Sequence, residues 1–377
     1  MTMDAVIERT RCLVCVGTGG VGKTSTSAAL AIEAARRGKR TVVLTIDPAK
    51  RLANALGLPE IGSVEAEVSA EAFRAAGIEP PSGKLTAMML DIKEAWDDVV
   101  TRYHPDPEQR QKLLDNRLYH ALSTALAGSQ EYMAMEKLHR LAMREEDRPD
   151  IVIVDTPPAA HALDFLEAPN RIVEALDNDA TRWLLQPYQG KRRLSRRMFD
   201  AGSSLFIRTI AKFTGIEILD ELAELLGAFS AMFDGFRNRA RAVKELLAQE
   251  DTVFCVVGAP SETGLADARA FSERLAEREL RLAGVILNRV TTDPFSLEPS
   301  RREALDAAVA EIGADSGLAE RLADNAERFR ARAEAQKSGA EALEAAIERP
   351  VWTVPELPRD VHDLEGLERV RSSLFSS

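Results

Sequence analysis

Cysteine is scarce in this sequence: Cys12, Cys15 and Cys255 are the three in 377 residues. So sparse and odd a set excludes a disulfide-stapled framework. Cys12 and Cys15 form C-x-x-C, yet they fall in a predicted strand, where residues three apart point to opposite faces; buried strand cysteines are favoured over a metal or redox pair. No apolar run approaches the roughly 20 residues that span a bilayer. The first residues, with Asp4, Glu8 and Arg9, lack the charged and apolar regions of a signal peptide, so a cytoplasmic, non-transmembrane protein is expected. Positive charge is also short: 49 Lys+Arg stand against 60 Asp+Glu, a net charge of −11, which argues against a chain that wraps nucleic acid. Internal repeats and long low-complexity linkers are missing. What remains, 45% hydrophobic and 29% charged residues, is ordinary for a globular protein. The length suits one large α/β domain with a helical insertion.

The stretch from Val14 to Ser27 (VCVGTGGVGKTSTS) organises the rest. It leaves an apolar run at Gly17, passes through Thr18, Gly19, Gly20, Val21 and Gly22 to Lys23, Thr24 and Ser25, and enters an Ala-rich helical segment. G-x-x-x-x-G-K-T between strand and helix is a phosphate-binding loop. Its glycines let several N–H groups surround one anion, and the helix N-terminus adds partial positive charge. Lys23 is placed to reach the β- and γ-phosphates of a nucleotide, and the Thr24 hydroxyl to ligate Mg²⁺.

Further along, Thr41 to Ile46 (TVVLTI) reads as a buried parallel strand ending at Asp47. Strand, loop, helix, strand opens a doubly wound, mostly parallel sheet. Leu85 to Leu90 is the next strand; the segment from Ile92 to Arg148 is helical with one break at His104 to Pro107. Ile151 to Val154 runs into Asp155, four apolar residues before a carboxylate, the Walker B pattern that holds Mg²⁺ or a water of its shell. From Ala175 to Leu247 only helices are predicted. There Leu222, Leu225, Leu226, Phe229, Met232, Phe233 and Phe236 form an apolar stripe, as do Leu205 to Phe213. Either the stripe is the core of a helical subdomain or part of it lines a groove for an apolar helix or partner. The basic run Lys191 to Arg197 is a solvated face or a contact for an anionic surface. Thr252 to Val257, Leu282 to Leu287 and Val351 to Val354 complete the strands, with a helix from Glu262 to Glu279 and a helical hairpin from Pro299 to Ile347 turned near Gly313 to Gly317. The nucleotide core is thus about 8–60, 84–92, 149–174 and 250–377, and the helical subdomain about 93–148 and 175–248. A guanine-reading N-K-x-D at Asn288 needs Asp where Thr291 stands, so adenine is expected.

The phosphate loop, Thr45 to Ala49 (TIDPA), Asp155 to His161 (DTPPAAH), Asn288 and the Pro-rich segment at 355–358 together resemble the ArsA/Get-type anion-transporting ATPases, deviant Walker A proteins related to MinD and ParA, in their bacterial branch. The resemblance runs over nearly the whole chain. It implies ATP and Mg²⁺ as ligands, Asp47 as the residue that orients the attacking water near the metal, Asn288 as an adenine contact, and Pro355 and Leu357 as a wall on the base's other face. In the second switch segment Asp155, Thr156, Pro158 and His161 match, while Pro157, Ala159 and Ala160 depart; the loss of Gly at position 160 stiffens it.

The deviant loop reads K-G-G-x-G-K-T/S, and its first Lys reaches the phosphates of an opposing subunit; here that position is Thr18. Lys50 or Arg51 replaces the cation, a related subunit donates it, or hydrolysis is slow. The resemblance therefore implies a homodimer, or a heterodimer with a related ATPase, whose nucleotide state moves the helical subdomain against a protein client or membrane-protein partner. A low-turnover regulatory subunit is the alternative. Neither a zinc-bridging C-x-x-C nor an arsenite-binding cysteine triad is present, and one phosphate loop excludes a tandem pump ATPase.

Overall fold

The computed structural model describes residues 2–46, 51–125, 129–157, 232–292 and 317–375, with isolated positions 174, 225, 307, 309 and 311. Eight strands form one sheet: β1 Cys12–Val16, β2 Arg40–Thr45, β3 Ala66–Glu67, β4 Lys84–Met89, β5 Ile151–Asp155, β6 Thr252–Gly258, β7 Leu282–Val290 and β8 Val351–Pro355. Their order is β3-β4-β2-β5-β1-β6-β7-β8. Every pairing is parallel except β3 with β4. β1, β5 and β6 are buried at every position, which is why they read as unbroken apolar runs rather than alternating ones.

Helices cover both faces. On one lie α1 Met3–Arg9, α2 Lys23–Arg36, α3 Arg51–Ala55, α4 Ala70–Ala75 and α12 Leu364–Phe375; on the other lie α5 Ile92–Tyr103, α6 Pro107–Leu114, α7 Arg117–Ala125, α8 Ser129–Ala142, α9 Phe233–Ala248, α10 Glu262–Glu277 and α11 Gly317–Ile347. The two cores are separated by the sheet, and β1 feeds both: Cys12, Val14 and Val16 enter one, Leu13 and Cys15 the other. The C-x-x-C pair is thereby split across the sheet, as strand geometry requires. Burial pushes both thiols up to about 12.

The doubly wound sheet expected from the sequence is observed, with additions. α1 is capped by the Thr2 hydroxyl, which accepts from the Ala5 N–H, and was not foreseen because seven residues carry too little periodicity. The two-residue β3 and the short α4 escaped for the same reason. The break at His104 to Pro107 is present, with the Asp106 carboxylate capping α6 and Pro107 in its first turn. A second break follows at Asp115 and Asn116, where the Asn116 side chain accepts from the N–H groups of Leu118 and Tyr119. α11 covers the second arm of the expected hairpin; nearly all of the first arm and of the turn expected near Gly313 to Gly317 lies outside the described residues.

Of the apolar stripe, Leu225, Met232 and Phe236 are buried in the core beside Trp96 and Tyr132. Leu222, Leu226, Phe229, the segment 205–213 and the basic run 191–197 lie outside the described residues. α9 is pinned to α8 by a buried ion pair in which Arg239 Nε donates to Glu136 Oε2 at 3.1 Å. The Arg239 guanidinium also stacks 3.8 Å from the Tyr103 ring centre. On the opposite face Arg371 Nη1 of α12 donates to Glu33 of α2 at 2.6 Å, and Arg36 of α2 pairs with Glu368 at 3.2 Å.

Candidate nucleotide site

β1 lies at the middle of the sheet, where the chain runs outward in both directions, so its carboxyl end opens onto the crevice in which such folds take ligands. The loop leaving it needs glycine at two points. A Cβ on Gly17 would stand 2.0 Å from the Val257 carbonyl oxygen, and Gly22, with φ 93°, caps α2 in the left-handed region. Lys23, only 7% exposed, folds back so that its Nζ donates to the carbonyls of Gly17 at 2.9 Å and Thr18 at 2.7 Å. The ammonium is thus held against the loop's own carbonyls.

Beside it is Asp155, fully buried at the end of β5. Register places it opposite Cys15 of β1 and Thr45 of β2. Its Oδ2 accepts from Thr24 Oγ1 at 2.7 Å and from Thr45 Oγ1 at 3.0 Å. One carboxylate oxygen therefore joins the phosphate loop to the strand that leads into position 47. The next residue, Thr156, donates its hydroxyl to the Cys15 carbonyl at 2.7 Å. Two hard oxygen donors 2.7 Å apart suit Mg²⁺, whose adjacent octahedral ligands lie about 2.9 Å apart when each sits about 2.05 Å from the ion. Thr24 and Asp155 fit that metal.

A cleft of about 490 Å³ extends from the loop. Gly20, Gly22, Lys23, Thr24 and Ser25 line one end, and Asn288, Pro355 and Leu357 line another wall, at the carboxyl ends of β7 and β8. That wall holds together because the Glu356 N–H donates to the Val290 carbonyl at 2.9 Å. A larger cavity of about 950 Å³ lies at the opposite, amino ends of the strands among Arg9, Glu250, Asp251, Glu279, Arg281 and Arg349. Its described lining holds no glycine, whereas the glycine loop and Lys23 line the smaller cleft.

The sequence profile of the anion-transporting ATPase family matches residues 10–302. The chain belongs to that family. Among its relatives are an uncharacterized protein of Streptomyces coelicolor, 30% identical over 74% of this chain and 62% of its own length, and the ATPase GET3 of Malassezia globosa, 30% identical over 44% of each chain. A putative arsenical pump-driving ATPase 1 of Aquifex aeolicus is 24% identical over 69% of this chain and 59% of its own length. The chain therefore spans about half to three-fifths of these relatives.

In this member of the family, Gly17 to Ser25, Asp155, Asn288, Pro355 and Leu357 gather at one end of the sheet. Asp47 and Lys50 lie outside the described residues, as do Pro158 and His161. Side chains not anticipated as part of the site also line the cleft, Asn54, Arg289, Arg359 and His362 among them, and Gln130 of α8 donates its Nε2 to the carbonyl of Ile46, the residue before Asp47, at 2.8 Å. Gln130 sits in an ordinary amphipathic helix, so no local pattern marks it. Arg51, weighed from the sequence as a stand-in cation, lines the cleft at the start of α3.

Proposed function

We propose that this chain is a Mg²⁺-dependent, ATP-binding and ATP-hydrolysing switch of the ArsA/Get type. The observation that carries the reading is one cleft lined by Lys23 and Thr24, with Asp155 buried behind Thr24 and bonded to it, whose far wall is Asn288, Pro355 and Leu357. The Lys23 ammonium exchanges the Gly17 and Thr18 carbonyls for the β- and γ-phosphates, and Thr24 with Asp155 holds the metal, which when bound neutralises charge spreading onto the γ-phosphoryl oxygens. Asp47, next but one to Thr45, holds the attacking water in line with the γ-phosphorus. Asp155 Oδ2 bonds both Thr24 and Thr45, so a change at Thr24 and Asp155 on nucleotide binding would be felt by the loop and β2 together. Gln130 bonds the Ile46 carbonyl, so the same change passes to α8 and the helical layer, where a protein client or membrane-protein partner is engaged.

Thr18 supports a second reading, a regulatory subunit whose turnover is low until a related ATPase subunit supplies the cation missing there. Arg51 on the cleft rim supports the first. Mg²⁺-dependent ATP hydrolysis by the purified chain separates them. Brisk turnover by the chain alone, lowered on the order of 10²–10³-fold by Lys23→Ala and abolished by Asp47→Asn, is expected of the switch. Binding of adenine nucleotide without turnover, relieved by a homologous subunit, is expected of the regulatory form. Failure to bind any adenine nucleotide refutes both.

A further inference from the structure

Asn288 stands two strands away from β1, yet its side chain meets the phosphate loop. Nδ2 donates to the Val21 carbonyl at 2.8 Å in a buried bond, and a Cβ on Gly22 would stand 2.1 Å from that nitrogen. The other end of the amide is also engaged, with Oδ1 accepting from the Arg289 N–H at 3.0 Å. Arg289 is turned to φ 62°, and the pairing of β7 with β8 shifts register between Leu287 and Val290. Backbone at the base wall is thus bent out of the ladder in the place that allows the amide to bridge wall and loop.

We infer that Asn288 is a positioning residue for the phosphate loop, a strut that sets the Val21–Gly22 peptide, and not a base contact alone. This rests on the nucleotide-site reading above. A trans peptide directs its C=O and N–H oppositely. Holding the Val21 carbonyl against Asn288 therefore fixes the Gly22 N–H on the other side, among the N–H groups that surround an anion in such a loop. The lack of a Cβ at Gly22 admits the amide at this distance, so Gly22 and Asn288 form one fitted pair. Through it, the wall that meets the base sets the geometry of the loop that meets the phosphates.

Calorimetric titration of the full chain with ATP, ADP and inorganic tripolyphosphate tests this, because tripolyphosphate has no base. Asn288→Ala is expected to weaken all three by about 5- to 30-fold, the range for a lost hydrogen bond to a buried carbonyl. Asn288→Asp, which keeps the shape and replaces the donor by an oxygen, is expected to weaken tripolyphosphate at least as much and serves if the alanine variant melts early. Amide hydrogen exchange across residues 17–24 of the nucleotide-free chain is expected to quicken in both variants. A loss confined to ATP and ADP, with tripolyphosphate binding and exchange unchanged, overturns the strut and leaves the ATPase reading intact. Failure of the unsubstituted chain to bind any of the three refutes the ATPase reading, and the exchange measurement then decides the strut by itself: quickened exchange upholds it and unchanged exchange overturns it.

Discussion

Replacing one member of the Glu136–Arg239 pair is expected to cost far more than replacing both. The side chains are 7% and 10% exposed and meet at 3.1 Å. For charges about 4 Å apart at an effective dielectric near 20, the attraction is about 4 kcal/mol, close to what desolvating the two ions removes. Glu136→Leu strands the guanidinium between the Tyr103 and Phe236 rings and is expected to destabilise the chain by about 3–5 kcal/mol. Arg239→Met is expected to cost less, about 2 kcal/mol, because the carboxyl left behind can take up a proton. Burial already holds the Glu136 pKa above its ordinary 4.5, against the pull of Arg239. The double variant puts apolar groups in contact and is expected within about 1 kcal/mol of the parent, so the coupling energy is on the order of 5 kcal/mol. The Arg239→Met variant also carries a pH signature. A folded carboxyl with a raised pKa keeps its proton when the unfolded one has lost it, so stability falls as pH rises from 4.5 through the folded value. Urea unfolding followed by circular dichroism and by tryptophan emission, to which Trp96 beside Tyr132 and Phe236 contributes, gives all four corners of the cycle. Single variants within about 1 kcal/mol of the parent, or a strictly additive double, would falsify this account of how α8 holds α9.

Thr18→Lys restores a cation at the loop and is expected to raise ATP turnover on the order of 10²-fold or more, and only as chain concentration passes the dimerisation range; unchanged rates at every concentration count against a second subunit at the site. Lys137, whose Nζ donates to the Ser63 carbonyl at 3.0 Å, is lowered from 10.5 to about 8, first by burial and then by Arg140. The unfolded chain holds the extra proton between those values, so stability rises with pH from 8 to 10.5, by less than about 1.4 kcal/mol per unit because the side chain is partly solvated; Lys137→Met is expected to flatten that slope in chemical denaturation. Cys12 and Cys15, buried and shifted up to about 12, and Cys255, raised well above its ordinary value by burial, are expected to resist iodoacetamide at pH 8 until the chain is unfolded. Rapid labelling of any of the three in the native chain, read by mass spectrometry, contradicts the packing of β1 and β6.

The central sheet was legible because its strands are buried on both faces and therefore spell continuous apolar runs. The phosphate loop was legible because its backbone admits few residues: Gly17 abuts Val257, and Gly22 turns where a side chain is strained. What escaped has no such constraint in the local sequence. β3 has two residues, and its pairing with β4 depends on the fold that brings it there. Gln130 and Asn288 act through amides that bond backbone carbonyls 84 and 267 positions away, distances over which spacing carries no signal. Asn288 was visible as a residue at a strand end, whereas its bond to Val21 needed coordinates.

The salt links between α2 and α12 bear on how the protein is made. Arg371 reaches Glu33 across 338 positions, and Pro355 and Leu357 wall the same cleft that begins at Gly20. At about 5–20 residues per second, translation delivers that wall about 20–70 s after the phosphate loop. The Val257 carbonyl that Gly17 abuts and the Asn288 amide that bonds Val21 also lie far downstream, and Glu33 of α2 awaits its partner throughout. On the proposed function, a nascent chain in this interval would hold nucleotide weakly, and tight binding would begin with the last steps of folding.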